Sequence, residues 1–149
     1  MAAKVAEVLY ITERSFNRKI LFVSNLLNRT RLELVIWLYP ESSVDRIAGF
    51  DASSPVTADA MPVTTYPNHI VGRRTGRLRM TDDLIKNIYL DESSLLGECD
   101  SLCIYLPERV DWSVSVIFHE GVILIKDSSL IGDMEGLEFK ASPHAPSWW

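Results

Sequence analysis

With 149 residues, 47% of them hydrophobic and 23% charged, the chain is long enough to bury one core without metals or disulfides. Its net charge of −5 disfavours general nucleic-acid binding, because phosphate contacts supply most of that affinity. No apolar run approaches the ~18–20 residues that span a bilayer, so no membrane association is expected.

The charge is unevenly spread. Residues 1–80 hold 11 Lys/Arg against 7 Asp/Glu, a balance of +4; residues 81–149 hold 4 against 13, a balance of −9. An acidic face and a separate basic patch are expected from this division. The opening "MAAKVAEVLYITERSF" is interrupted by Glu7 and Glu13 and has no basic head before a long apolar stretch. It therefore does not read as a secretory signal, and a cytoplasmic protein is expected. Cys99 and Cys103 form one C-x3-C pair with no second pair to complete a zinc site, and the histidines (His69, His119, His144) are scattered. Reduced thiols, no metal and no cofactor are expected.

In chain order, "KVAEVLYIT" (4–12) fits either a strand or a first helical turn. Phe16, Ile20, Val23 and Leu27 then recur on one helix face, with Thr12 as N-cap, predicting a helix over 12–28. "LELVIWLY" (32–39) is too apolar for a surface strand and reads as a central one, buried on both faces and ended by Pro40. Residues 40–69 carry Pro40, Pro55, Pro62 and Pro67 among many small polar residues and read as an irregular loop region. "HIVGRRTGRLRM" (69–80) follows as one strand or two. Thr81 caps a second helix over 81–90, with Asp82 and Asp83 in its first turn. Gly97 marks a break.

"SLCIYLP" (101–107) reads as a strand, and "WSVSVIF" (112–118) alternates, with Val114, Val116 and Phe118 on one side and Ser113, Ser115 and Ile117 on the other. "GVILIKD" (121–127) looks buried, and "GLEFK" (136–140) could add a short strand. Residues 141–149 form a Pro-interrupted tail ending in Trp148 and Trp149. The whole predicts a single α+β domain over 1–149. Its mainly antiparallel sheet has five or six strands, accompanied by two main helices.

The chemistry-bearing candidates each have a structural reading beside them. His119-Glu120 sits between two strands, and Gly121 supplies the positive φ of a hairpin loop of two or three residues. The zincin pattern H-E-x-x-H fails at Ile123. The alternative is a general base at His119 oriented by Asp111 or Glu108, a small hydrolase; no nucleophile elbow accompanies it. Arg73, Arg77 and Arg79 would share one side of a single strand, where they read first as edge-strand charge or as internal partners of Asp82, Asp83 or Asp91, with binding of a protein partner, or of a nucleotide, nucleic acid or other anion, as the alternatives. Asp91-Glu92, Glu98, Asp100, Glu108 and Asp111 fall in expected turns, where solvation suffices to explain them. Trp112 fits the core edge, its indole N–H needing a partner if buried, and Trp148 and Trp149 fit docking, onto the domain itself or into a partner.

The stretch "DWSVSVIFHEGVILI" resembles in style the endings of many small bacterial α+β proteins, immunity-type proteins among them. It implies that broad class and no residue roles. With no catalytic constellation, segregated charge and a surplus of acidic residues, the expectation is a non-enzymatic protein-binding domain of the immunity, inhibitor, chaperone or accessory-subunit type. A protein partner or self-association is expected, with a small-molecule or nucleotide sensor built on the 73–79 arginines as the alternative.

Overall fold

The computed structural model describes residues 8–39, 41–43, 46–47, 54–56, 60, 74–126, 130, 139–144 and 147. The fold is α+β, with one antiparallel sheet and three helices among the described residues. Strands β1 (Leu9–Thr12), β2 (Glu33–Leu38), β5 (Cys99–Tyr105), β6 (Val114–Ile117) and β7 (Val122–Ile125) have four residues or more; β3 (Ser54–Pro55) and β4 (Leu78–Arg79) have two each. The order across the sheet is β1-β7-β6-β5-β2-β4-β3. Strands β5, β6 and β7 form a meander, and helix α1 (Phe16–Arg29) carries the chain over it from β1 to β2.

Of the helical stripe read from the sequence, Phe16, Ile20 and Val23 are buried and Leu27 is half-buried against the same core. The helix starts later than the predicted Thr12, however. Thr12 is the last residue of β1, held extended opposite Val122, and Ser15 is the N-cap, its hydroxyl accepting from the Arg18 N–H at 3.3 Å. Pairing with β7 decides between the two conformations that this stretch can adopt. Helix α2 (Asp82–Leu90) begins at Thr81, whose hydroxyl accepts from the Leu84 N–H at 3.2 Å. A short helix α3 (Glu92–Leu96) follows, capped by the Asp91 carboxylate and closed at Gly97.

All three helices lie on one face of the sheet. Their buried residues, including Phe22, Leu84, Ile88 and Leu95, pack on Leu34, Ile36, Leu102, Ile104, Val116 and Ile123. The other face holds a smaller cluster: Val35, Cys103, Tyr105, Trp112, Ile117, Val122 and Leu124. Strand β2 is thus buried on both sides, as its unbroken apolar run requires. Polar groups concentrate on this second face, where Ser101 and Ser115 are each 1% exposed and the Cys103 Sγ lies 3.8 Å from the Ser115 hydroxyl. Burial pushes the Cys103 thiol up to about 12, and the Cys99 thiol is raised for the same reason, so both stay protonated at neutral pH.

Both edges of the sheet formed by the described residues are managed. Pro55 sits in the outermost strand β3, where a missing N–H costs least. At the opposite edge, Tyr10 and Ser142 exchange two backbone hydrogen bonds, of 2.7 and 2.9 Å. Phe139 packs edge-on against Phe22. The proposed strand over 136–140 lies mostly outside the described residues; Phe139 and Lys140 are not in a strand.

Candidate functional site

The β6–β7 connection is a hairpin tip, one residue longer than the sequence suggests. Residues 118–121 form the turn, and Ile117 pairs with Val122 across it. Gly121 has φ +64°, and a Cβ there would sit 3.1 Å from Arg14 Cγ, so both backbone and space call for glycine. His119 stands at this tip, with Nδ1 2.8 Å from Asp100 Oδ1 and Nε2 3.3 Å from Glu120 Oε1.

Asp111, the expected orienter of His119, is not its partner. Asp111 precedes β6 and His119 follows it, so the strand separates them; Asp111 instead receives a hydrogen bond from Lys126 and caps the Trp112 N–H. Asp100 takes its place because of a register shift. Trp37 pairs with Ser101 while Leu38 pairs with Cys99, which leaves Asp100 as the extra residue of a β-bulge. Its side chain is 4% exposed, and its carbonyl accepts from the Phe118 N–H at 3.3 Å. Ser113, just before β6, and Ser115 within it are covered, at 3% and 1% exposure.

Lys19 lies behind the same tip, 2% exposed. Its ammonium donates long hydrogen bonds to the Phe118 carbonyl (3.4 Å) and the Arg14 carbonyl (3.5 Å), and lies 5.7 Å from the Phe118 ring centroid. Burial lowers its pKa; the Glu13 charge acts the other way.

The arginine stretch divides. Arg73 lies outside the described residues. Arg77 is turned inward, its side chain 1% exposed: Nε donates to Glu33 Oε1 at 2.7 Å, and the two terminal nitrogens donate to the Arg109 and Leu106 carbonyls. Its guanidinium also stacks 4.7 Å from the Tyr105 ring centroid. The internal partner is thus Glu33, not Asp82, Asp83 or Asp91. Between the two carbonyls that Arg77 holds stands Glu108, with φ +68°. Arg79 is exposed, on a groove of about 570 Å³ that it shares with Arg29, Arg31, Glu33 and Asp82, a lining of both signs.

The remaining carboxylates are spread over separate tasks. Asp91 caps α3. Glu98 accepts from the Ser43 N–H at 3.2 Å and from Arg46 at 3.3 Å, and a hydrogen bond from the Ser42 hydroxyl, with these, lowers its pKa. Among the described residues no group of three His, Cys, Asp or Glu side chains is placed to hold a metal ion. Trp112 is 2% exposed beneath Lys126, and its indole N–H has no hydrogen-bond partner among the described residues. Trp148 and Trp149 lie outside the described residues.

What the sequence reading missed is the outer surface of the helices. Of the large hydrophobic side chains exposed among the described residues, Leu21 (43%), Tyr89 (50%), Leu90 (69%) and Leu96 all belong to α1, α2 or α3. Asp82 and Asp83 stand exposed at one end of α2, Asp91 and Glu92 just past the other, and Lys86 is the one basic residue from 82 to 96. A signal was present: "IYL" at 88–90 gives three consecutive large apolar residues, and a helix with one buried face can cover only part of such a run.

The chain gives no match to protein-family models, to curated proteins or to solved structures. Among the described residues no helix is long and apolar enough to cross a membrane.

Proposed function

We propose that this chain is a protein-binding domain that acts by covering part of another protein, in the manner of an immunity protein, inhibitor, chaperone or accessory subunit. The observation that carries the reading is the helix surface on which Leu21, Tyr89, Leu90 and Leu96 are exposed, with carboxylates at both ends of α2. Exposed apolar side chains gain free energy when a partner removes them from water. Carboxylates around them attract a basic surface and orient it on approach. The surplus of acidic residues after position 80 gives the molecule a long-range field of the same sign. A catalytic role finds less support: His119 is engaged by Asp100 and Glu120 at an exposed turn, with no accessible nucleophile described beside it.

Affinity capture with the full chain as bait tests this reading. The expected result is a partner retained at low salt, released as salt rises, retained by His119→Ala and lost with Leu90→Asp. Leu90 is too exposed for that change to disturb the fold. Equal capture by the Leu90→Asp bait would remove the helix surface from consideration.

A further inference from the structure

The same surface limits what its partner can look like, on the reading just given. Between α1 and α2 runs a groove of about 410 Å³. Ile20 and Ile85, buried at 2% and 4%, lie at its base, Leu21 and Tyr89 form its walls, and Asp82 and Asp83 stand at one end. We propose that this groove seats a basic amphipathic helix of the partner.

Three features argue for a helix with that charge pattern. The first is backbone accounting. The main-chain groups of α1 and α2 are spent within the helices, so this surface offers no ladder for an extended segment. A strand laid here would lose water from its own N–H and C=O groups without replacement, whereas a helix arrives with its hydrogen bonds made and can set a ridge of side chains into a groove between two helices. The second is the placing of charge. Carboxylates stand at one end of the groove, Asp82 and Asp83 in the first turn of α2. Two Lys or Arg at i and i+4 at one end of the partner helix, followed on the same face by Leu-like side chains, would meet the acidic end and the apolar floor together. The third is the position of Lys86, one turn after Asp82. It neutralises the middle of the groove wall and leaves the attraction at the end where Asp82 and Asp83 stand. The same carboxylates repel phosphate, which sets nucleic acid and anionic lipid against this surface.

The test uses the full chain and three synthetic peptides of about 18 residues, long enough to take helical form on binding. The first has Lys at i and i+4 at one end of a Leu face. The second has Glu in place of Lys, and the third has Ser in place of Leu. The expected result is binding of the first alone, weakened about tenfold in the Leu21→Ala/Tyr89→Ala protein and again in Asp82→Asn/Asp83→Asn, with unchanged circular dichroism. Equal binding of the Ser peptide would reduce the effect to charge and overturn the proposal, as would equal binding by either variant. A dimer in sedimentation that the first peptide dissociates would make the occupant a second copy of this chain, and also overturns it. The two readings fail separately. If a captured partner is not displaced by the first peptide, the groove assignment falls and protein binding stands. If the peptide binds but Leu90→Asp captures as well as wild type, the helix surface loses its place in partner binding while the groove's chemistry remains.

Discussion

Arg77 and Asp83 are six residues apart in the chain, one sealed between sheet and turn and the other in water. The stretch around Arg77 has the density of positive charge that suggests an external ligand, yet Arg77 has its guanidinium bound to Glu33 and two main-chain carbonyls. The carboxylates around α2 suggest plain solvation, yet they border the apolar side chains that the helices expose. Charge in the sequence marks where electrostatics matters, and the sign of its effect depends on which groups the fold brings opposite. Guanidinium geometry explains the first case. A planar fork of donors can satisfy a carboxylate and two carbonyls at once, so one Arg can be buried and fasten a turn.

The strongest way to break this contrast is to remove the buried member. Arg77→Ala leaves Glu33 without its counter-charge and two carbonyls without their donors, and should cost about 3–5 kcal/mol in urea unfolding. Arg77→Lys should recover only part of that, since an ammonium cannot serve three acceptors in the same fixed directions. A cost under about 1 kcal/mol would show that Arg77 is a surface charge after all.

Lys19 sharpens the comparison, because it is a buried cation whose described hydrogen bonds go to carbonyls and none to a carboxylate. Lys19→Met keeps the stem and removes the charge, and should stabilise the protein by about 1–2 kcal/mol at neutral pH. The pH dependence has a fixed sign. With the folded pKa below 10.5, the unfolded chain binds more protons between the two values, so wild-type stability rises with pH through that window. The rise should be absent from Lys19→Met when urea midpoints are compared from neutral pH to pH about 10. A Met variant less stable than wild type would mean that the two carbonyls more than compensate for burial.

The smallest effect belongs to Glu108. Its left-handed backbone is costly for a side chain, and Glu108→Gly should raise stability by about 1 kcal/mol, read from the thermal midpoint. No gain would indicate that the Glu108 side chain makes up the cost.

Elements with a strong local pattern were legible. The Phe16–Ile20–Val23 stripe, the Thr81 cap, the two-sided burial of β2 and the glycine at the hairpin tip each follow from spacing and backbone chemistry alone. The start of α1 was not, because "LYIT" suits two conformations and a strand nearly the length of the chain away selects one. Helix α3 escaped notice because five residues carry too little period, although Asp91, three before Ser94, is a cap signal. The His119–Asp100 contact was out of reach. It depends on a bulge, and one inserted residue leaves no mark in the alternation of β5, buried throughout. The direction of Arg77 was equally hidden, since Glu33 meets it only through the pairing of β2 with β4.

The two backbone bonds between Tyr10 and Ser142 carry a practical consequence. They occupy the outward-facing donors and acceptors at one position of β1, the strand that would otherwise offer a free border to another sheet. Shortening the chain to before residue 142 would strip that border, and the shortened protein would be prone to stack edge to edge into soluble oligomers or precipitate, even with its core intact.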